Sequence, residues 1–323
     1  MHRRRFLQLA GATLAAGAIA HVARAAGPRA VATATPPIDA AAFHAMRRFA
    51  KTPFGRIAYV ERGRGAVALF LHGAPLNGFQ WRGAIERLSP YRRCVAPDFM
   101  GLGYSEVPEG QSLAASDQSA MLLALLDALA IDKVDIVASD SGGAVAQLLA
   151  AHHPRRVRSL LLANCDVEPD SPPPKVEPAI GMARAGTLAD ATANWLVDPA
   201  NARATFGKAV YAYPGKLADE TIATYAAPLV ASPLRRAQYH AFHLALAPNP
   251  LAGIEARLKR SAVPLRVVWG MSDDIFKPGD ADYLDRLFPR SRGIRRVPEG
   301  KLFFPEEFPD VIAEEARQLW KTA

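Results

Sequence analysis

The sequence predicts an α/β fold: a mostly parallel central sheet flanked by helices, with an inserted helical cap. Three observations predict it. Several short β-rich runs are continuously apolar rather than alternating, the mark of parallel strands buried on both faces. Between them lie longer stretches with apolar residues at helical spacing, and strand followed by helix, repeated, implies right-handed crossovers within one sheet. One interval, from about Val167 to Arg257, breaks the rhythm and reads as helix after helix.

Taken in chain order, the first segment is not part of that fold. His2-Arg3-Arg4-Arg5-Phe6-Leu7-Gln8, a weakly apolar Ala/Gly-rich run to Ala20 and Ala23-Arg24-Ala25 make a basic start, a short apolar core and a small-x-small cleavage site. Residues 1–25 are therefore expected to be a secretory signal of the twin-arginine type, directing export to the periplasm or beyond. The apolar run is shorter than the roughly 20 residues a membrane span requires, and no later segment is long and apolar enough. Residues 26–45, rich in Ala, Pro and Thr, read as a flexible leader.

Strands are expected at Arg56–Glu61, Val67–Leu71, Arg93–Ala96, Val134–Ala138, Val157–Leu162, Leu265–Trp269 and Ile294–Val297. Leu113–Leu129 and Gly142–Ala151 carry helical periodicity, and His153-Pro154 stops the second of them. Pro169 and Pro172-Pro173-Pro174 open the irregular interval. The division that follows is a sheet domain made of residues 46–167 and 257–323, with a cap of residues 168–256 inserted between its halves.

Composition narrows the function classes. The 323 residues are 50% hydrophobic and 22% charged, and the formal charge is +8. Removal of Arg3, Arg4, Arg5 and Arg24 with the signal, which holds no acid, leaves 8 − 4 = +4. That charge is too mild and too evenly spread to argue for nucleic acid. Only Cys94 and Cys165 are present, so no disulfide framework is built in.

The chemistry concentrates at Val134-Asp135-Ile136-Val137-Ala138-Ser139-Asp140-Ser141-Gly142-Gly143, a buried strand running into a turn flanked by small residues and then a helix. A residue at such a turn is held in a strained conformation with its side chain above the sheet, and only small neighbours let the helix pack closely. Two frames fit, Ala138-x-Asp140-x-Gly142 and Ser139-x-Ser141-x-Gly143. The apolar run ends at Val137, which places Asp140 rather than Ser141 at the turn. A helix N-cap role for Asp140 competes with this reading. It leaves unexplained a second motif, His72-Gly73-Ala74-Pro75, directly after the apolar run Val67–Leu71.

With Gly55-Arg56-Ile57-Ala58-Tyr59, Ala96-Pro97-Asp98, Gly101-Leu102-Gly103-Tyr104-Ser105 and Trp269-Gly270-Met271-Ser272-Asp273, these motifs make the chain resemble α/β hydrolases of the haloalkane dehalogenase and epoxide hydrolase type over about Phe49 to Trp320. The resemblance implies an aspartate nucleophile at Asp140, an alkyl ester intermediate, and an oxyanion hole from the N–H groups of Ala74 and Ser141. His72 would brace its loop. Asp273 matches the position of the acid that orients the catalytic histidine, and Asp274 and Asp166 are alternatives for it. The resemblance also implies a small-molecule substrate and no cofactor, and no histidine stands at metal-ligand spacing beside Asp140, Asp166 and Asp273.

The departures are specific. The histidine of the family belongs in the loop after the last strand, where this chain reads Gly300-Lys301-Leu302-Phe303-Phe304-Pro305-Glu306-Glu307-Phe308-Pro309; counting back from Pro309, its place is held by Leu302. No histidine follows His243. His240 and His243 share a helix face at the end of the cap and are the candidates for a substitute base. Dehalogenases carry a tryptophan after the nucleophile and often Asn or Glu after the His-Gly pair, where this chain has Ser141 and Ala74. Epoxide hydrolases use two cap tyrosines, for which Tyr211, Tyr213, Tyr225 and Tyr239 are available. The leading expectation is a hydrolase of small, largely apolar electrophiles acting through Asp140; the alternatives are a binding protein that keeps the pocket without turnover, and a Ser141 esterase.

Overall fold

The computed structural model describes residues 38–322, so the expected export signal lies outside the described residues. The sheet has eight strands: β1 (Arg47–Thr52), β2 (Gly55–Arg62), β3 (Val67–Leu71), β4 (Arg93–Pro97), β5 (Val134–Asp140), β6 (Val157–Cys165), β7 (Leu265–Gly270) and β8 (Ser291–Val297). Their order is β1-β2-β4-β3-β5-β6-β7-β8. The β1–β2 and β2–β4 pairings are antiparallel and the rest are parallel.

The continuous apolar runs of β3 and β5 are buried along their whole length because helices cover both faces of the sheet. Asp135 is the exception in β5. It is fully buried, and Arg92, Arg158 and the Ser159 hydroxyl satisfy it at 3.1, 2.8 and 2.7 Å.

Two corrections concern the N-terminal side. The segment Ala40–Met46, expected within a flexible leader, is a helix capped by the Asp39 side chain, and Phe43 packs edge-on against Phe79 at 5.3 Å. β1 had no counterpart in the sequence reading. It is an edge strand with an exposed face and therefore lacks the apolar run that marks the central ones.

Between β6 and β7 the chain forms a helical insertion, including Glu177–Arg184, Leu188–Val197, Asp219–Val230 and Pro233–Leu244. The last of these is started by the Ser232 side chain, which accepts from the Arg235 N–H, with Pro233 at its first position. Arg235 donates to the carbonyls of Ser105 and Gly103 at 2.9 and 2.7 Å, and Gln238 donates to that of Val107 at 2.9 Å. These bonds fix the rotation of the cap helix over the sheet. Among the described residues no helix is long and apolar enough to cross a membrane.

Candidate active site

β5 ends at Asp140, and the helix Ser141–His152 begins at the next residue. Asp140 has φ 55° and ψ −139°, a conformation that costs a non-glycine residue about 1–3 kcal/mol. The strain puts its carboxyl group above the sheet edge, where one oxygen accepts from the N–H of Ala74 at 3.2 Å and from that of Ser141. Ala74 reaches it because β3 lies beside β5, with Leu71 opposite Ala138.

Two glycines make the approach feasible. A Cβ on Gly73 would stand 2.3 Å from the Asp140 Cβ, and one on Gly142 would stand 2.5 Å from the His72 carbonyl oxygen. His72 itself is buried and occupied: Nδ1–H donates to the Gly73 carbonyl at 2.9 Å, and Nε2 accepts from the Phe99 N–H at 3.0 Å. Burial lowers its pKa, which keeps it neutral and suited to bracing the loop.

Above Asp140 lies a cavity of about 610 Å³ between sheet and cap. Its lining is mostly apolar, with Met182, Leu188, Trp195, Phe206 and Leu302 prominent, and its polar groups are few. Such a chamber suits a small apolar ligand met by a handful of placed polar groups. Burial raises the pKa of Asp140 against the pull of the Ser141 and Ala74 N–H groups. Ser141 lines the same cavity, and its buried hydroxyl acts on the Asp140 carboxyl group, favouring the charged form.

The other candidate residues go to different places. Leu302 lines the cavity together with Asp140 and is 2% exposed. Asp273 is buried, and burial pushes its pKa up to about 6. Its carboxylate accepts from the N–H groups of Ile275 and Phe276 and, at 2.7 Å, from the side-chain amide of Asn164. Lys301, the residue before Leu302, donates to the Lys208 carbonyl at 2.6 Å.

Sequence reasoning missed Asn164. Its amide also accepts from the Gly270 N–H at 2.6 Å, which ties the end of β6 to the end of β7. An amide closing an apolar strand run was the available signal, because a buried amide needs partners and the next strand is the nearest supplier.

Asp166 lines the cavity one residue beyond Cys165, the register partner of Asp140 on the neighbouring strand. The Ser171 hydroxyl donates to it at 2.7 Å. Burial first, and the charge of Asp140 second, raise its pKa to about 7. Asp274 points to solvent and pairs with Lys175.

The two cap histidines separate. His243 lines the cavity; its Nδ1–H donates to the Tyr239 carbonyl at 3.0 Å, which leaves Nε2 as an acceptor, and burial lowers its pKa to about 4. His240 lies outside the cavity and accepts from the Ala189 N–H at 3.0 Å. Of the four cap tyrosines only Tyr239 lines the cavity, and its hydroxyl accepts from Thr192 at 3.2 Å. Tyr211 donates to Glu306, Tyr213 donates to Glu299, and Tyr225 is buried beside the Arg82–Glu306 pair.

Comparison with known proteins gives the same picture at the level of the chain. The profile of the α/β hydrolase fold family matches residues 67–308. Haloalkane dehalogenase 2 of Mycobacterium tuberculosis (strain ATCC 25618 / H37Rv) is 29% identical over 267 residues, 80% of this chain and 89% of that protein. The ancestral haloalkane dehalogenase AncHLD2 superposes with a TM-score of 0.71 at 26% identity, over 85% of this chain and 100% of that one. The epoxide hydrolase CorEH, at 21% identity, shares the fold with a TM-score of 0.71 over 85% of this chain and 98% of its own.

Proposed function

The chain belongs to the α/β hydrolase fold family, and we propose that it is a hydrolase of the dehalogenase and epoxide-hydrolase type that opens small, largely apolar electrophiles through an ester on Asp140. The observation that carries the proposal is the Asp140 carboxylate, with one oxygen held by two backbone N–H groups beneath an apolar cavity.

The held oxygen leaves the other free to attack an electrophilic carbon from the cavity side. Desolvation makes that carboxylate a stronger nucleophile than it is in water. When water later attacks the ester carbon, the negative charge builds on the held oxygen, where the N–H groups of Ala74 and Ser141 already point; one such donor is worth roughly 10²–10³ in rate. Asp273 would orient an imidazole in a relative; here its carboxylate is held by Asn164 and the N–H groups of Ile275 and Phe276.

Leu302 also favours a second reading, a protein that forms the ester and releases it slowly or not at all. A general base contributes about 10²–10⁴ to such a step. Intact-protein mass spectrometry after incubation with 1-bromohexane and with 1,2-epoxyhexane tests both readings. A mass increase that maps to Asp140 and is absent from Asp140→Asn supports the nucleophile, and its lifetime reports the turnover. An unlabelled protein that produces neither alcohol nor diol refutes the proposal. Export through the twin-arginine route is part of the same reading and rests on residues 2–8 and 23–25.

A further inference from the structure

The cavity lining includes one carboxyl group that the ester mechanism leaves without a task. Asp166 is 6% exposed, lines the chamber with Asp140, and has the Ser171 hydroxyl as its side-chain partner. The charges that act on it are those of Asp140 and Asp170, both negative. A structural role would call for a cation or several donors on a carboxyl so deeply buried, as Asp135 has from Arg92 and Arg158. Asp166 has neither.

We infer that Asp166 is a second catalytic carboxyl, an acid in the first half-reaction and a base in the second, and that the protein therefore turns over substrates whose leaving atom is oxygen, such as strained cyclic ethers, in preference to haloalkanes. The inference rests on the reading of Asp140 as nucleophile. Its core is a proton inventory. Burial, and the charge of Asp140 while it is a carboxylate, favour the protonated form of Asp166. Attack by Asp140 on a ring carbon breaks the carbon–oxygen bond, and the departing oxygen takes that proton. The products are a hydroxyalkyl ester on Asp140 and a carboxylate at Asp166.

Esterification also removes the negative charge that had opposed ionisation of Asp166. The new carboxylate then accepts a proton from the water that attacks the ester carbon. The released alkoxide takes the second proton of that water, Asp140 leaves as a carboxylate, and Asp166 ends protonated as it began. One group thus serves as acid and then base, as in glycosidases that pass through a covalent intermediate. A halide departs without needing a proton, so the acid half of this cycle gives a haloalkane no advantage, and that is the source of the preference for an oxygen leaving atom.

The other polar groups near the chamber do not close this cycle. His243 has its only ring proton committed to the Tyr239 carbonyl and has no proton to give the leaving oxygen. Burial raises the pKa of Tyr239, so its phenol is a weak acid and returns no base for the second step. Asp273 is held by Asn164 and two N–H groups and does not line the chamber.

The test compares 1,2-epoxyhexane and 1-bromohexane on the full-length protein and on Asp166→Asn. The wild type is expected to release diol from the epoxide faster than it releases alcohol from the bromide. Asp166→Asn is expected to open the epoxide roughly 10²–10⁴ times more slowly and still to take up the hexyl group, which shows that fold and nucleophile survive. Equal losses with both reagents assign Asp166 a structural role and overturn the inference. So does equal turnover of both reagents by the wild type, or loss of epoxide opening in Tyr239→Phe with none in Asp166→Asn. Absence of label and product from both reagents in the wild type overturns the Asp140 reading as well, which separates the two failures.

Discussion

The sequence resemblance puts Leu302 where the family's histidine belongs, and Leu302 lines the cavity with Asp140. If that assignment holds, Leu302→His supplies an imidazole to the cavity, and the hexyl ester left by 1-bromohexane is expected to hydrolyse roughly 10²–10⁴ times faster, read as decay of the adduct mass. An adduct whose lifetime is unaltered in a folded variant would show that Asp273 cannot orient the new ring. Asp166 gives a second residue-scale prediction through stability. Its folded pKa of about 7 lies above the ordinary carboxylate value, so the folded state holds a proton that the unfolded chain has released. That stabilising contribution is fully present below the unfolded value near pH 4 and is lost as pH rises toward 7. Asp166→Asn, which carries no charge at any pH, should therefore raise the melting temperature more at pH 8 than at pH 5. Calorimetry at both values checks it, and a difference that is the same at both would remove the shift.

At the scale of elements, the site is a meeting of the β3 loop, the β5 turn and the cap helix Pro233–Leu244. The loop is tuned to the turn through Gly73: an added Cβ would collide with the Asp140 side chain, and loop and carboxylate must part. Gly73→Ala is expected to withdraw the Ala74 N–H from Asp140, slowing labelling and any turnover by about 10²–10³, and to cost about 1–3 kcal/mol of stability through overpacking. Labelling kinetics beside a denaturation midpoint measure both, and full-rate labelling would mean that the loop relaxes without losing its donor. The cap helix contributes Tyr239 and His243 to the cavity and keeps His240 outside because Arg235 and Gln238 are bonded to the loop after β4. Helical spacing placed both histidines on one face, but residues at i and i+3 differ by about 60° around a helix at 100° per residue, enough for one to reach a cavity that the other misses.

For the whole molecule, the proposed export fixes where the activity would act. Protein recovered from the periplasm of the host is expected to begin after Ala25, with a net charge of +4 rather than +8. N-terminal sequencing decides it, and a chain starting at Met1 in the cytoplasm would refute the proposal. The amino-acid sequence by itself determined the parallel sheet, the turn after β5, the loop beside it and the leucine in the place of a histidine. Those features lie on strands and their immediate ends, where burial on both faces writes an apolar run and where position can be counted from the last strand residue. Tertiary structure alone decided which polar groups share the cavity: Asp166 but not Asp274, His243 but not His240, Tyr239 among four tyrosines, and Asn164 as the partner of Asp273. An inserted cap has no strand register from which to count. The rotation of each of its helices is set by bonds to distant loops, and those bonds connect residues more than 100 positions apart in the chain.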